Sequence, residues 1–329
     1  MADLDNHPRP TDSIMDIETT LIRDFGFNKF LARKLATQLG SESIRLAKAE
    51  GEPPKKSLRV NTLKTTDERL LSRLRVRGFE LSKIDWVKHG YWIESSPNRP
   101  SAGATHEYLF GHYFLQSPVS MLIAESVEPP AGGTILDLAA GVGGKSTHLC
   151  QIMMNAGALV AVEPRRERVS ALRSNLSRMG CTNAVVLQMD GRSVSNLGIK
   201  FDAVLLDAPC TATGLLGIYP RLKQRTTEDD LTQLQRLQAS LLERAWEVLA
   251  PGGALVYSTC SLLKDEGEEV ISRAVELGGK TETLPIIKAG IGFPHVPGRI
   301  KNSVRFYRHL HNLEGFFVCR IRKPIEFPS

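Results

Sequence analysis

Two cysteines stand where apolar, β-branched runs end. "FDAVLLDAPCTATG" puts Asp207 and Cys210 at the close of one run, and "GGALVYSTCSLL" puts Cys260 at the close of another. Free cysteines are often inert core residues, and Cys150, Cys181 and Cys319 are read that way. Thiols at strand ends beside a ligand cleft are candidates for nucleophilic chemistry. A third strand end, "LDLAAGVGGKS", carries Ala139, Ala140, Gly141, Gly143, Gly144 and Lys145. Its glycines let the backbone approach a ligand and open a helix whose N-terminal amides face it. The turn is neither a Walker A loop nor a clean GxGxxG, so a nucleotide, a dinucleotide and S-adenosylmethionine all remain open at this point. Two further strand ends narrow the choice. "VAVEP" ends on Glu163, about 20 residues past the glycines, where an acid accepts from ribose hydroxyls, and "VVLQMD" ends on Asp190, able to accept from an adenine amino group. The pair favours an adenosine cofactor, and the lack of a phosphate-clamping basic residue there favours S-adenosylmethionine.

Strand and helix signals alternate from about Leu109 onward at the period of a doubly wound sheet. The strands are "TILDLAA", "ALVAVEP", "AVVLQMD", "FDAVLLDAP", "ALVYSTC" and "GFFVCRI", with helices over 145–155, 165–179, 228–249 and 264–277. Ligands bind such sheets outside the carboxyl ends of the strands. Before it come helices within 14–50, a break at "GEPPKK", then a strand, a helix and a strand or hairpin from Ser57. The expected organisation is a helical segment (1–56), a small α+β, RRM-like module (57–107) and a Rossmann-like α/β domain with helices on both faces (108–329).

The chain has 329 residues, a net charge of +6 and five cysteines. An odd cysteine count without a CxxC pair argues against disulfides and zinc. No apolar run reaches membrane length, and the acidic N-terminus lacks a signal-like core, so a cytoplasmic protein is expected. Residues 55–83 hold nine Lys/Arg against three Asp/Glu, and residues 288–323 hold eight against one. Two basic surfaces on an otherwise acidic chain suggest a phosphate backbone as partner.

Over roughly 57–323 the sequence resembles the RNA 5-methylcytosine methyltransferases of the RsmB/Nop2/Sun type. The resemblance rests on "LRVNTLK", "FGHYFLQSPVS", "DLAAGVGGKS", "DAPCTATG", "YSTCS" and "RHLHNLEGFFVCRI". Val142 and Ala139 replace the family's usual proline and common cysteine, and Thr-Ala-Thr-Gly replaces Ser-Gly-x-Gly. None of these removes a reactive group. The resemblance implies that Cys260 attacks carbon 6 of cytosine, making carbon 5 nucleophilic, and that Cys210 serves release of the product. Asp207 would stabilise ring nitrogen 3, and Lys145 would sit near the base and help hold Cys260 as thiolate. Arg168, in "EPRRERV", would assist the cofactor.

The resulting expectation is a monomeric, metal-free enzyme that forms 5-methylcytosine in tRNA, with rRNA second, on a single-stranded or flipped-out base. A non-catalytic RNA-binding assembly factor is the alternative from another class.

Overall fold

The structure, a computed structural model, describes residues 13–325; the extreme N-terminal residues used for the localisation argument lie outside this range. Three helices open it: α1 (Ile14–Phe25), α2 (Lys29–Leu39) and α3 (Glu42–Ala49). Ser13 and Asp16 form a reciprocal capping box at α1, and the Asn28 side chain caps α2 by accepting from Leu31 N. Their apolar faces, including Leu21, Leu31, Leu35 and Leu46, pack against Leu216, Leu262, Leu263 and Tyr307. The N-terminal helices therefore brace chain segments that follow the two strand-end cysteines.

The module consists of β1 (Ser57–Val60), α4 (Asp67–Val76), β2 (Glu80–Lys83), β3 (Gly90–Ser95) and β4 (Tyr113–Leu115). Its antiparallel order, β2-β3-β1-β4, is the RRM-like arrangement expected from the sequence. The fourth strand comes from beyond residue 107, where β4 pairs with β1 through Leu58 and Leu115.

The large sheet contains β5 (Thr134–Asp137), β6 (Ala158–Val162), β7 (Ala184–Leu187), β8 (Phe201–Asp207), β9 (Leu249–Thr259), β10 (Lys280–Glu282), β11 (Val296–Pro297), β12 (Val304–Phe306) and β13 (Phe316–Arg322). Strands β7-β6-β5-β8-β9 run parallel, β13 joins β9 antiparallel, and β12, β11 and β10 extend the far edge. Alternate residues of each strand serve opposite helix layers. Ile135, Ala161 and Leu205 face α5 (Pro118–Glu125), α6 (Gly144–Ile152) and α7 (Arg166–Met179). Leu136, Val160 and Leu206 face α8 (Glu228–Val248) and α9 (Glu268–Glu276). Burial on both sides explains why these strands read as continuous apolar runs. The six strands expected from the sequence are present. The short β10, β11 and β12, each two or three residues long, carry too little pattern to be read.

Strand order reverses between β5 and β8, which opens a crevice at their carboxyl ends. Asp137 and Asp207 end these two strands.

Candidate active site

Cys210 and Cys260 meet. The chain leaves β8, turns through Pro209 and brings Cys210 Sγ to 3.2 Å from Cys260 Sγ, just past the end of β9. Several bonds join the two loops. Ala208 N donates to Ser258 O and Gly214 N to Cys260 O, while Thr213 Oγ1 lies 3.1 Å from Ser261 Oγ and accepts from Leu262 N. A methyl group at Gly214 would come within 2.0 Å of Gly315 O, so glycine alone allows this backbone approach. From below, the buried Arg305 donates to Glu268 and to the carbonyls of Ser261, Leu262 and Leu263.

Lys145 reaches the same crevice from the first turn of α6. Gly143, at φ 90°, supplies the left-handed turn into the helix, and a Cβ there would lie 2.6 Å from Leu172 Cδ1. Lys145 Nζ donates to Asp207 Oδ2 at 2.5 Å and to Ser120 Oγ at 3.3 Å, and Ser258 Oγ donates to Asp207 Oδ1 at 2.7 Å. Burial alone would lower the pKa of the Lys145 ammonium, but the charge and hydrogen bond of Asp207 carry it above its ordinary value. The lysine is held as a cation.

Of the cofactor candidates, Ala140, Gly141, Gly144, Lys145 and Asp207 line a cleft of about 320 Å³ together with Phe114, Leu115, Gln116, Ser117, Ser120 and Val142, whereas Gly143, Glu163, Arg168 and Asp190 are not in its lining. Ala139 instead packs toward the α8 side of the sheet. Glu163 is buried at the end of β6, its Oε1 accepting from Arg165 N. Asp190 caps the 3₁₀ turn Gly191–Leu197 and binds the Arg192 guanidinium, whose hydrogen bonds hold its carboxyl below the ordinary range. Arg168 is exposed on the first turn of α7. The three cysteines assigned to the core pack there: Cys150 and Cys319 are buried, and Cys181 packs partly buried against the core.

Sequence reasoning missed Asp137, Phe114, Gln116 and Ser120. Asp137 was visible as the acid ending "TILD". It is buried, Ser146 Oγ donates to its Oδ2, and burial raises its pKa to about 6. The other three come from β4, the segment after it and α5, which the fold lays across the cleft over a sequence distance that no local pattern reports. Among the described residues no cluster of three His, Cys, Asp or Glu could hold a metal ion, and no helix is long and apolar enough to cross a membrane.

Residues 124–322 match the family profile described as 16S rRNA methyltransferase RsmB/F, and residues 28–118 match that of the N-terminal domain of 16S rRNA methyltransferase RsmF. The chain is 36% identical over 316 residues to the 25S rRNA (cytosine-C(5))-methyltransferase nop2 of Schizosaccharomyces pombe, covering 91% of this chain and 51% of that protein. It is 34% identical to the ribosomal RNA small subunit methyltransferase F of Vibrio campbellii, covering 83% and 58%. The chain thus spans about half the length of these curated relatives. A methyltransferase homologue from Pyrococcus horikoshii superposes with a TM-score of 0.82 at 35% identity, covering 93% of this chain and 98% of that one. NSun6 from the same organism, determined with SFG, superposes at 0.84 with 25% identity, covering 92% and 100%.

Proposed function

The chain belongs to the RsmB/F family of 16S rRNA methyltransferases, and from that premise we propose that it methylates carbon 5 of a cytosine in RNA. The observation that carries the reading is the contact of Cys210 with Cys260 beside the Lys145–Asp207 pair at the switch point of the sheet. Two thiols have no purpose in methylating an amine, which needs no activation. Carbon 5 of cytosine does need it.

The cleft fits S-adenosylmethionine. The glycine turn lets the backbone come close, Asp137 and Glu163, buried at the ends of β5 and β6, would offer acceptors to a cofactor that reaches past the cleft, and Asp190 would have to share or release Arg192 to take part. Bound there, S-adenosylmethionine supplies an electrophilic methyl group. The chain's residues do the rest. The Cys260 thiolate bonds to carbon 6 of the base, and the electron pair displaced from the 5,6 double bond makes carbon 5 nucleophilic. The Lys145 cation would stabilise the negative charge that moves onto the ring, and Asp207, on taking up a proton, would donate it at ring nitrogen 3. After transfer carbon 5 loses its proton, the electron pair re-forms the double bond, and the bond to Cys260 breaks; Cys210 is assigned to this release.

The names of the relatives weigh toward ribosomal RNA as the substrate class, so it moves ahead of the transfer RNA that the sequence alone favours. The covalent route is tested by denaturing electrophoresis of protein incubated with RNA and S-adenosylmethionine. Cys210→Ala is expected to accumulate a protein–RNA adduct, and Cys260→Ala to form none and to methylate nothing. Full methylation by both variants without any adduct would sink the mechanism.

A further inference from the structure

Cys210 is gripped from the side away from the cleft by two fully buried polar residues. Gln238, on α8, donates its Nε2 to Pro209 O at 2.8 Å and to Glu266 Oε1 at 2.9 Å. Glu266, in the turn Lys264–Glu266 that follows the Cys260 loop, accepts from Thr211 N at 2.9 Å and from Thr211 Oγ1 at 2.5 Å. The residues on both sides of Cys210 are therefore tied to one Gln–Glu pair. Among the described residues no cation lies within ion-pair distance of Glu266. Burying a carboxylate without one is costly, and a neutral residue could have met the same hydrogen bonds more cheaply. Across the sulfur pair the charges are opposite in sign. Lys145 stands on the cleft side with its charge felt at Cys260, and Glu266 stands behind Cys210.

We propose that Glu266, acting through Thr211 and Gln238, is the positioning residue for Cys210, and that its negative field sorts the two touching thiols, keeping Cys210 as the thiol and leaving Cys260 to ionise. The groups facing Cys210 agree in direction. The hydrogen bond to Cys260, burial, and the charges of Cys260 and Glu266 all push its thiol well above the ordinary range, and only the Ala212 N–H opposes them. Tyr257, packed beneath, is itself held neutral, chiefly by burial and then by the charge of Glu266. The consequence for catalysis concerns the first step alone: which sulfur attacks. That consequence rests on the methyltransferase reading, but the sorting itself does not.

The test therefore uses neither RNA nor cofactor. The full chain is labelled with iodoacetamide from pH 6 to pH 10, and each cysteine is followed by peptide mass mapping. The half-maximal pH for Cys210 is expected to lie above that for Cys260. Glu266→Gln removes the charge while an amide can keep the bonds to Thr211 and Gln238. In it the Cys210 midpoint should fall by about one unit, a roughly tenfold faster labelling at pH 7.5, with Cys260 little moved. An unmoved Cys210 midpoint in folded Glu266→Gln would overturn the proposal and reduce Glu266 to a strut. Should that variant fail to fold, the wild type decides, because a Cys210 midpoint at or below that of Cys260 also overturns it. Normal sorting combined with no RNA adduct would count against the enzyme reading and not against this one.

Discussion

Lys145 and Asp207 illustrate what single residues contribute. Their side chains are mostly buried, and each is the other's charge partner, so neither is comfortable alone. Lys145→Met should cost about 1–3 kcal/mol, because it leaves a largely desolvated carboxylate with only Ser258 as donor. Adding Asp207→Asn should then restore most of that stability without restoring methylation. Urea denaturation of the two single variants and the double variant measures the coupling, and losses that simply add would mean the pair is not a unit. Both residues were legible, since a lysine after the glycine turn and an acid at a strand end are local signals. Their pairing was not legible, because it depends on β5 and β8 being neighbours. The contact of Cys210 with Cys260 has the same origin, in the register that sets Asp207 beside Ser258. Glu266 was hidden for a different reason, since a carboxylate after "TCSLLKD" reads as solvated surface until the fold buries it.

At the scale of elements, the module and the catalytic sheet are joined by a residue that belongs in sequence to the first and in function to the second. Arg59 lies on β1 and is fully buried, yet it donates to Gln151 Oε1, Thr147 Oγ1 and Gly144 O on α6, and to Gln116 Oε1. The planar fork of guanidinium donors spans these acceptors in a way an ammonium cannot. Arg59→Lys is expected to destabilise the protein by about 2–4 kcal/mol, since several buried acceptors lose their donors. It should also weaken S-adenosylmethionine binding, because α6 carries the glycine turn. Thermal unfolding and titration calorimetry check the two effects separately, and unchanged affinity in a destabilised Arg59→Lys would confine the residue to structure. The strands and long helices were readable because burial on two faces or one leaves a clean pattern. Charge was a poorer guide, as "SLRV" offers an arginine that looks like surface and serves as a strut.

The same correction applies to the molecule as a whole, where the two basic stretches offer fewer free cations than their composition suggests. Four of their cations are not available to a phosphate: Arg59, Arg305, Arg308 and Arg320 are buried, with Arg305 paired to Glu268 and Arg308 donating to Pro53 O and Asn312 O. Others are already paired, Arg77 with the buried Glu107 and Arg322 with Glu282. What stays open on α4 is narrower: Arg69, Arg73 and Arg75 are exposed on one helix of the module. A solvated cation that meets a phosphate releases a counterion, while a buried one cannot, so the salt dependence of RNA binding reports the exposed set only. The log–log slope against salt should fall by roughly 0.7 for each single-strand phosphate that is no longer neutralised, so reversing all three to glutamate should lower it by about 2 units at most. Arg77→Glu alone should change the slope little and show instead as lower stability, because it puts a second carboxylate against Glu107. Filter binding across a salt series distinguishes the two. A slope unchanged by the triple reversal would move the RNA path off the module and onto the remaining exposed cations of the basic tail, Lys288, Arg299 and Lys301.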